Sequence, residues 1–127
     1  MATIQATVTH PADNVVRFTW PLMANTDVGA PIGPNWASYS DRNVSIPSGG
    51  GAGGTFGVGG TLTVQGSSNS GATYESLTDQ SDNALAIIAT KTEQIMQITD
   101  LTRPAVTAGD GTTSLTVTIT MRKNPRN

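Results

Sequence analysis

Apolar residues in this chain recur at every second position over short stretches, and turn-forming residues interrupt them. Leu115, Val117, Ile119 and Met121 alternate with Thr116, Thr118 and Thr120, the period of a strand with one buried face. Near the start, Ile4, Ala6 and Val8 alternate with Thr3, Gln5, Thr7 and Thr9 until His10-Pro11, and residues 11–14 read as a turn. Val16, Phe18 and Trp20 share one face of the next strand with Arg17 and Thr19 on the other, and Pro21 is expected to end it.

The middle of the chain is less regular. Residues 23–47 form an excursion with one predicted strand, Asp41 to Ile46, and with Trp36 and Tyr39 embedded in turn-forming sequence. Eight of the fourteen glycines fall between Gly49 and Gly60; glycine loses the most backbone entropy on ordering, so this segment reads as a flexible loop or a closely apposed turn. Strands are predicted at Thr61 to Gln65 and at Ala72 to Leu77, with a turn from Gly66 to Gly71 between them and another over Asp79 to Asn83.

Residues 84–98 fit either a helix striped by Leu85, Ile88, Ile95 and Met96 or two strands meeting near Thr90-Lys91. The adjoining Ile87 and Ile88 and the β-branched threonines favour strands. Leu101 to Ala108 and Thr113 to Arg122 flank a short Gly-Asp-Gly loop, which predicts a hairpin between the last two strands. Pro104 cannot donate to a ladder and is expected at an edge, a strand start or a bulge. About eight short strands separated by turns predict an all-β chain folded as one antiparallel, jelly-roll-like β-sandwich over residues 1–127, with a Gly-rich loop at 49–60 and a basic tail at 122–127.

Composition narrows the function. Charged residues make up 13% of the 127 residues, against about 25% in an average domain, and threonine supplies many polar positions instead. Such a composition suits strand surfaces or surfaces that become covered. The formal charge of −2, with two lysines and five arginines, offers no basic footprint, so nucleic acid is not an expected partner. There is no cysteine, hence no disulfide or thiolate metal site. No apolar run approaches the roughly 18 residues that span a bilayer, and no basic-then-apolar leader opens the chain, so a soluble, cytoplasmically made protein without a membrane partner is expected.

Candidate chemistry is sparse. Gly49, Gly51 and Gly54 satisfy G-x-G-x-x-G as text, but strand-like TLTVQG follows where a phosphate site needs a helix. His10 is the only histidine, sits at a strand end and has no nucleophile context. Asp79, Asp82 and Asp110 lie in turns, where a carboxylate usually caps its own backbone rather than binding calcium. Glu75 and Glu93 show no converging carboxylate partner for glycoside hydrolysis. Neither an enzyme nor a bound cofactor is expected.

Aromatic and basic residues are better candidates for contacts. Trp20 belongs to the core by its period, whereas Trp36, Tyr39 and Tyr74 either pin loops onto the sandwich or present a glycan or partner contact. Arg122, Lys123 and Arg126 crowd the end of the chain and form either a solvated tail or a dock for an acidic neighbour.

The segments LTVQGSSNSGATYESLTDQSDNAL and EQIMQITDLTRPAVTAGDGTTSLTVTITMR resemble small head decoration, or cement, proteins of tailed bacteriophages. Those proteins carry a V-x-G-S-N-D-G-T-x-W-like turn, a G-N-A-L segment, an I-E-Q strand, an R-P-x-V strand and a closing G-D-G-T-x-x-L-T-V phrase, in this order. The resemblance spans Gly60 to Arg122. Here Tyr74 stands in place of the tryptophan, Asn69-Ser70-Gly71 in place of the Asp-Gly turn, and Thr102 where an aromatic commonly precedes R-P. It implies a virion protein on the outer capsid surface that binds the major capsid protein and itself, as a homotrimer at local threefold positions. Met1 to Val8, including Ile4, and the tail with Arg122, Lys123 and Arg126 are the expected capsid-facing parts. The same turn phrases also resemble carbohydrate-binding sandwiches, which leaves a glycan- or receptor-binding module of a head fibre or tail as the alternative.

Overall fold

The computed structural model describes residues 2–36, 38–46 and 54–123. The opening of the Gly-rich segment, residues 49–53, and the tail from residue 124 onward, with Arg126, lie outside the described residues.

The chain is all-β, and its strand segments are β1 (Thr3–Ile4), β2 (Thr7–Ala12), β3 (Val15–Met23), β4 (Val28–Gly29), β5 (Asp41–Ser45), β6 (Gly54–Thr55), β7 (Thr61–Ser67), β8 (Glu75–Ser76), β9 (Ala86–Ile87), β10 (Thr92–Ile95), β11 (Leu101–Ala108) and β12 (Ser114–Arg122). One 3₁₀ turn covers Pro34–Trp36. The segments exceed the predicted eight because five of them are two residues long. Sheet I runs β1-β4-β11-β7-β8, with β9 also paired to β7; sheet II runs β10-β5-β12-β3-β2, with β6 also paired to β12. The β1–β4 pair is parallel, and the long ladders are antiparallel.

The alternation reads onto this sandwich directly. Val16, Phe18 and Trp20 from β3 and Leu115, Val117, Ile119 and Met121 from β12 meet Leu62, Val64, Ile87 and Val106 from the other sheet in one buried cluster. The indole N–H of Trp20, fully buried, donates to the Ala30 carbonyl at 3.0 Å, so its polar atom is satisfied inside the core.

Several expected boundaries move, each for a local reason. The first alternating stretch is two strands rather than one: Thr3–Ile4 joins sheet I, and the chain crosses at Gln5-Ala6 so that Thr7–Ala12 joins sheet II. Pro11 and Pro21 do not terminate their strands. The β2–β3 register shifts between Thr9 and Ala12, and the β12–β3 register shifts between Leu115 and Val117. Both prolines therefore sit in bulges, where no donor is required of them. At the second bulge Leu22 takes φ 50 and its N–H donates to the Thr116 hydroxyl at 3.2 Å.

The predicted closing hairpin is not formed. β11 lies in sheet I between β4 and β7, whereas β12 is the centre of sheet II, so residues 109–113 carry the chain from one sheet to the other. Pro104 sits mid-strand in β11, opposite the shortest possible neighbour. Thr102 N donates to Ile32 O at 3.2 Å and Val106 N donates to Asp27 O at 2.9 Å; residue 104 shares their direction but meets Gly29, whose Cα faces the proline ring so closely that no side chain fits there. The missing donor is placed where the ladder has a gap. Residues 84–98 form the two strands favoured by the sequence, β9 and β10, in different sheets.

Candidate interaction face

The outward residues of sheet II line up in rows because the register of four ladders is shared. One row runs Thr7, Thr19, Thr118, Ser45, Thr92 across all five strands. The next runs Thr9, Arg17, Thr120, Asn43, Gln94, and the third Ala12, Val15, Arg122, Asp41. Neighbours within a row are separated by the strand spacing of about 4.8 Å, and rows by about 6.8 Å. The face is therefore a lattice of hydroxyls and amides with two guanidinium groups and one carboxylate. Thr92 Oγ1 donates to Ser45 Oγ at 3.1 Å within the first row.

Charge on this face is sparse and exposed. Arg122 Nη2 lies 3.6 Å from Asp41 Oδ2, with side chains 69% and 60% exposed, so the pair contributes at most about 1 kcal/mol. Val15, Asn43, Gln94, Thr120 and this pair border a shallow depression of about 410 Å³. Arg17, not among the expected contact residues, is brought diagonally beside Arg122 by the β3–β12 register. Parity along β3 is the signal that placed it outward.

Arg42 points the other way. It shares parity with Val44 and Ile46 and is 2% exposed. Its guanidinium donates through Nε to Tyr39 O at 3.0 Å, through Nη2 to Trp36 O at 3.0 Å and through Nη1 to Thr102 Oγ1 at 3.4 Å. Burial lowers its pKa from the ordinary arginine value. Two donors thus tie Trp36 and Tyr39 to the inside of sheet II, and the third reaches across to β11 of sheet I.

The aromatic candidates divide. Trp36 and Tyr39 are half-buried and pack on the core: the Trp36 ring meets Phe18 edge-on at 5.2 Å and Tyr39 at 5.5 Å, with His10 at 6.1 Å. They pin the excursion. Tyr74 is half-buried on the outside of sheet I, where the Arg103 guanidinium carbon lies 3.7 Å from its ring centroid and Arg103 Nε donates to Gln65 Oε1 at 3.0 Å. Its chain neighbours Thr73 and Glu75, with Asn69, Leu77, Gln97 and Thr99, line a hollow of about 430 Å³ of mixed polar and apolar character, which Tyr74 itself does not line.

Of the expected capsid-facing residues, Ile4 is half-buried against the core, Arg122 is on the sheet II face, and Lys123 is half-buried with its backbone N donating to Asn14 O at 2.8 Å. Asp27 was not foreseen. Its carboxylate, 8% exposed, accepts from Ala2 N at 3.0 Å and Ala24 N at 2.9 Å and so fastens β1 to sheet I.

The turn aspartates act on their own backbone. Asp79 Oδ1 accepts from Ser81 N and Asn83 N at 2.8 and 3.1 Å, and the bond from Asn83, then that from Ser81, lowers its pKa. Asp110 is held down to about 2, chiefly by the Thr112 hydroxyl and then by the N–H groups of Val58 and Thr112. Among the described residues no three His, Cys, Asp or Glu side chains form a ligand set for a metal ion. No protein-family model, no curated protein and no solved structure matches this chain.

Proposed function

We propose that this chain is a capsid decoration protein that binds the outside of a tailed-phage head and bridges neighbouring major capsid protein subunits. The observation that carries the reading is the sheet II face: hydroxyls and amides in register across five strands, with Arg17 and Arg122 as its cationic points. Such a face makes many modest polar contacts over a wide area rather than gripping one small ligand. Repetition over a head then multiplies them, because each added contact is intramolecular once the first has formed. The ordered resemblance over Gly60 to Arg122 supplies the second support. In this reading the protein is made in the host cytoplasm, ends on the outer surface of the virion, and assembles as a homotrimer at local threefold positions.

The test is the copy number in purified virions by quantitative mass spectrometry against the major capsid protein. A ratio near one copy per capsid subunit is expected. A paired assay returns purified protein to heads stripped of it: Arg17→Glu with Arg122→Glu is expected to abolish cosedimentation while the circular dichroism stays unchanged, and wild-type-like rebinding would remove sheet II from the proposal.

The hollow lined by Asn69, Glu75, Gln97 and Thr99 supports the second reading, a glycan- or receptor-binding module of a fibre or tail. Side-chain amides, hydroxyls and the exposed Glu75 carboxylate border it, which suits hydroxyl-rich ligands. This reading expects only a handful of copies per virion, and glycan-array binding lost in Glu75→Ala.

A further inference from the structure

Sheet II has two unlike edges. At one side β10 is four residues long and is flanked by the Lys91–Glu93 ion pair at 2.9 Å, the short, charged form that discourages pairing with another chain. At the other side β2 is six residues long, Thr-Val-Thr-His-Pro-Ala, and carries no Asp, Glu, Lys or Arg. Every residue of β2 is exposed, including Val8 at 48%, although Val8 is the register partner of the buried Phe18. The strand ends the sheet path, and although the His10 ring reaches Trp36 at 6.1 Å, Val8 and its neighbours stay exposed. Among the described residues, its strand partner is β3 alone.

We infer that β2 is an interface between two copies of this chain, paired antiparallel about a two-fold axis through Val8. The chemistry selects a second copy. In a two-fold pairing each side chain is brought against the same patch of its own copy, so a charged edge repels itself, and this edge has no charge to repel. Thr7-Val8-Thr9 also reads identically in both directions. Pairing about Val8 sets Val8 against Val8 and Thr7 against Thr9 of the second copy, cross-strand pairs that stabilise an antiparallel ladder. The bulge at His10-Pro11 bends the rest of the strand away and limits the register to this centre. The product is a continuous sheet in which the row ending at Thr7 in each copy runs on into the row that ends at Thr9 in the other.

An isologous contact cannot close a threefold ring. It joins two free protomers or two rings, and it does not depend on capsid binding. The experiment is light scattering on the purified full chain and its variants. Wild type is expected at an even multiple of 13.1 kDa, and Val8→Lys and Val8→Glu each at half the wild-type mass with unchanged circular dichroism. An equimolar mixture of the two variants is expected to recover the wild-type mass, because opposite charges then face each other across the axis. A wild-type monomer or trimer, a Val8→Lys mass equal to wild type, or a mixture that stays at half mass would overturn the inference.

Discussion

The carboxylate of Asp110 occupies the space that a side chain at residue 57 would need. A Cβ built on Gly57 falls inside contact distance of Asp110 Oδ1, and Gly57 itself has φ +70. Asp110 Oδ2 accepts from Val58 N at 2.8 Å, while the Thr113 hydroxyl reaches Phe56 O at 2.7 Å. The loop that joins the two sheets at residues 109–113 is thereby clamped to the exit of the Gly-rich segment.

This arrangement separates two glycines that look alike in sequence. Gly57→Ala combines a left-handed backbone penalty with a collision and is expected to cost about 2–4 kcal/mol. Gly59, with φ +72, has nothing within 4 Å of a built Cβ, so Gly59→Ala is expected to cost only about 1–2 kcal/mol. Urea denaturation of the two variants measures the difference; equal costs would show that the clamp does not confine residue 57.

Acid should release the same clamp. The folded pKa of Asp110, about 2, lies below the unfolded value of about 3.9, so its contribution to stability is complete above roughly pH 4 and is lost as pH falls through about 2. Asp79 is shifted in the same direction. The Tm gap between wild type and Asp110→Asn is expected to narrow steadily from about pH 5 to about pH 2. A gap constant across that range would assign the stabilisation to something other than the charged carboxylate.

Arg42 holds the excursion from below. Arg42→Ala leaves the Tyr39 and Trp36 carbonyls without their donors in a buried setting and is expected to cost about 2–5 kcal/mol. Arg42→Lys keeps the charge but cannot reproduce the fork of donors, and hydrogen exchange at residues 38–40 is expected to rise before that of β12. Unchanged exchange there would mean that the Trp36–Phe18 contact alone fixes the segment.

Asp27 has the corresponding role at the start of the chain. Asp27→Ala removes the acceptors of Ala2 N and Ala24 N and is expected to cost about 1–3 kcal/mol. The backbone bonds Val28 N to Ala2 O at 3.0 Å and Ala30 N to Ile4 O at 2.7 Å should then exchange faster than those of β7. Equal protection in the variant would show that packing of Ile4 is sufficient to seat β1.

Much of the sandwich was legible because most strands bury one face, and period-two alternation records that face. Val16, Phe18 and Trp20, and the four apolar residues of β12, were identified this way. Alternation does not record which sheet a strand joins, so β11 and β12, adjacent in sequence, read as a hairpin although they belong to opposite layers. Bulges also hide from it: Pro11 and Pro21 look like terminators until the extra residue beside each removes the need for a donor. The rows on sheet II needed register, a property of pairs of strands that no single stretch carries. Thr118 announces itself as outward, but nothing in β12 says that Thr19 and Ser45 flank it. Arg42 shares parity with Val44 and Ile46 in the predicted strand Asp41 to Ile46, a signal for its burial that the sequence reading does not take up.

The chain passes between the layers seven times: β1 to β2, β3 to β4, β4 to β5, β6 to β7, β9 to β10, β10 to β11 and β11 to β12 each change sheets. Neither layer is a continuous piece of sequence, and bonds such as Leu22 to Thr116 join residues 94 apart. The two layers are laced together like the sides of a boot. Neither layer can peel away as a unit while the other persists, although single segments such as residues 38–40 or β1 can still open locally. Folding such a non-local pattern is slow, and once laced the two layers should come apart only together.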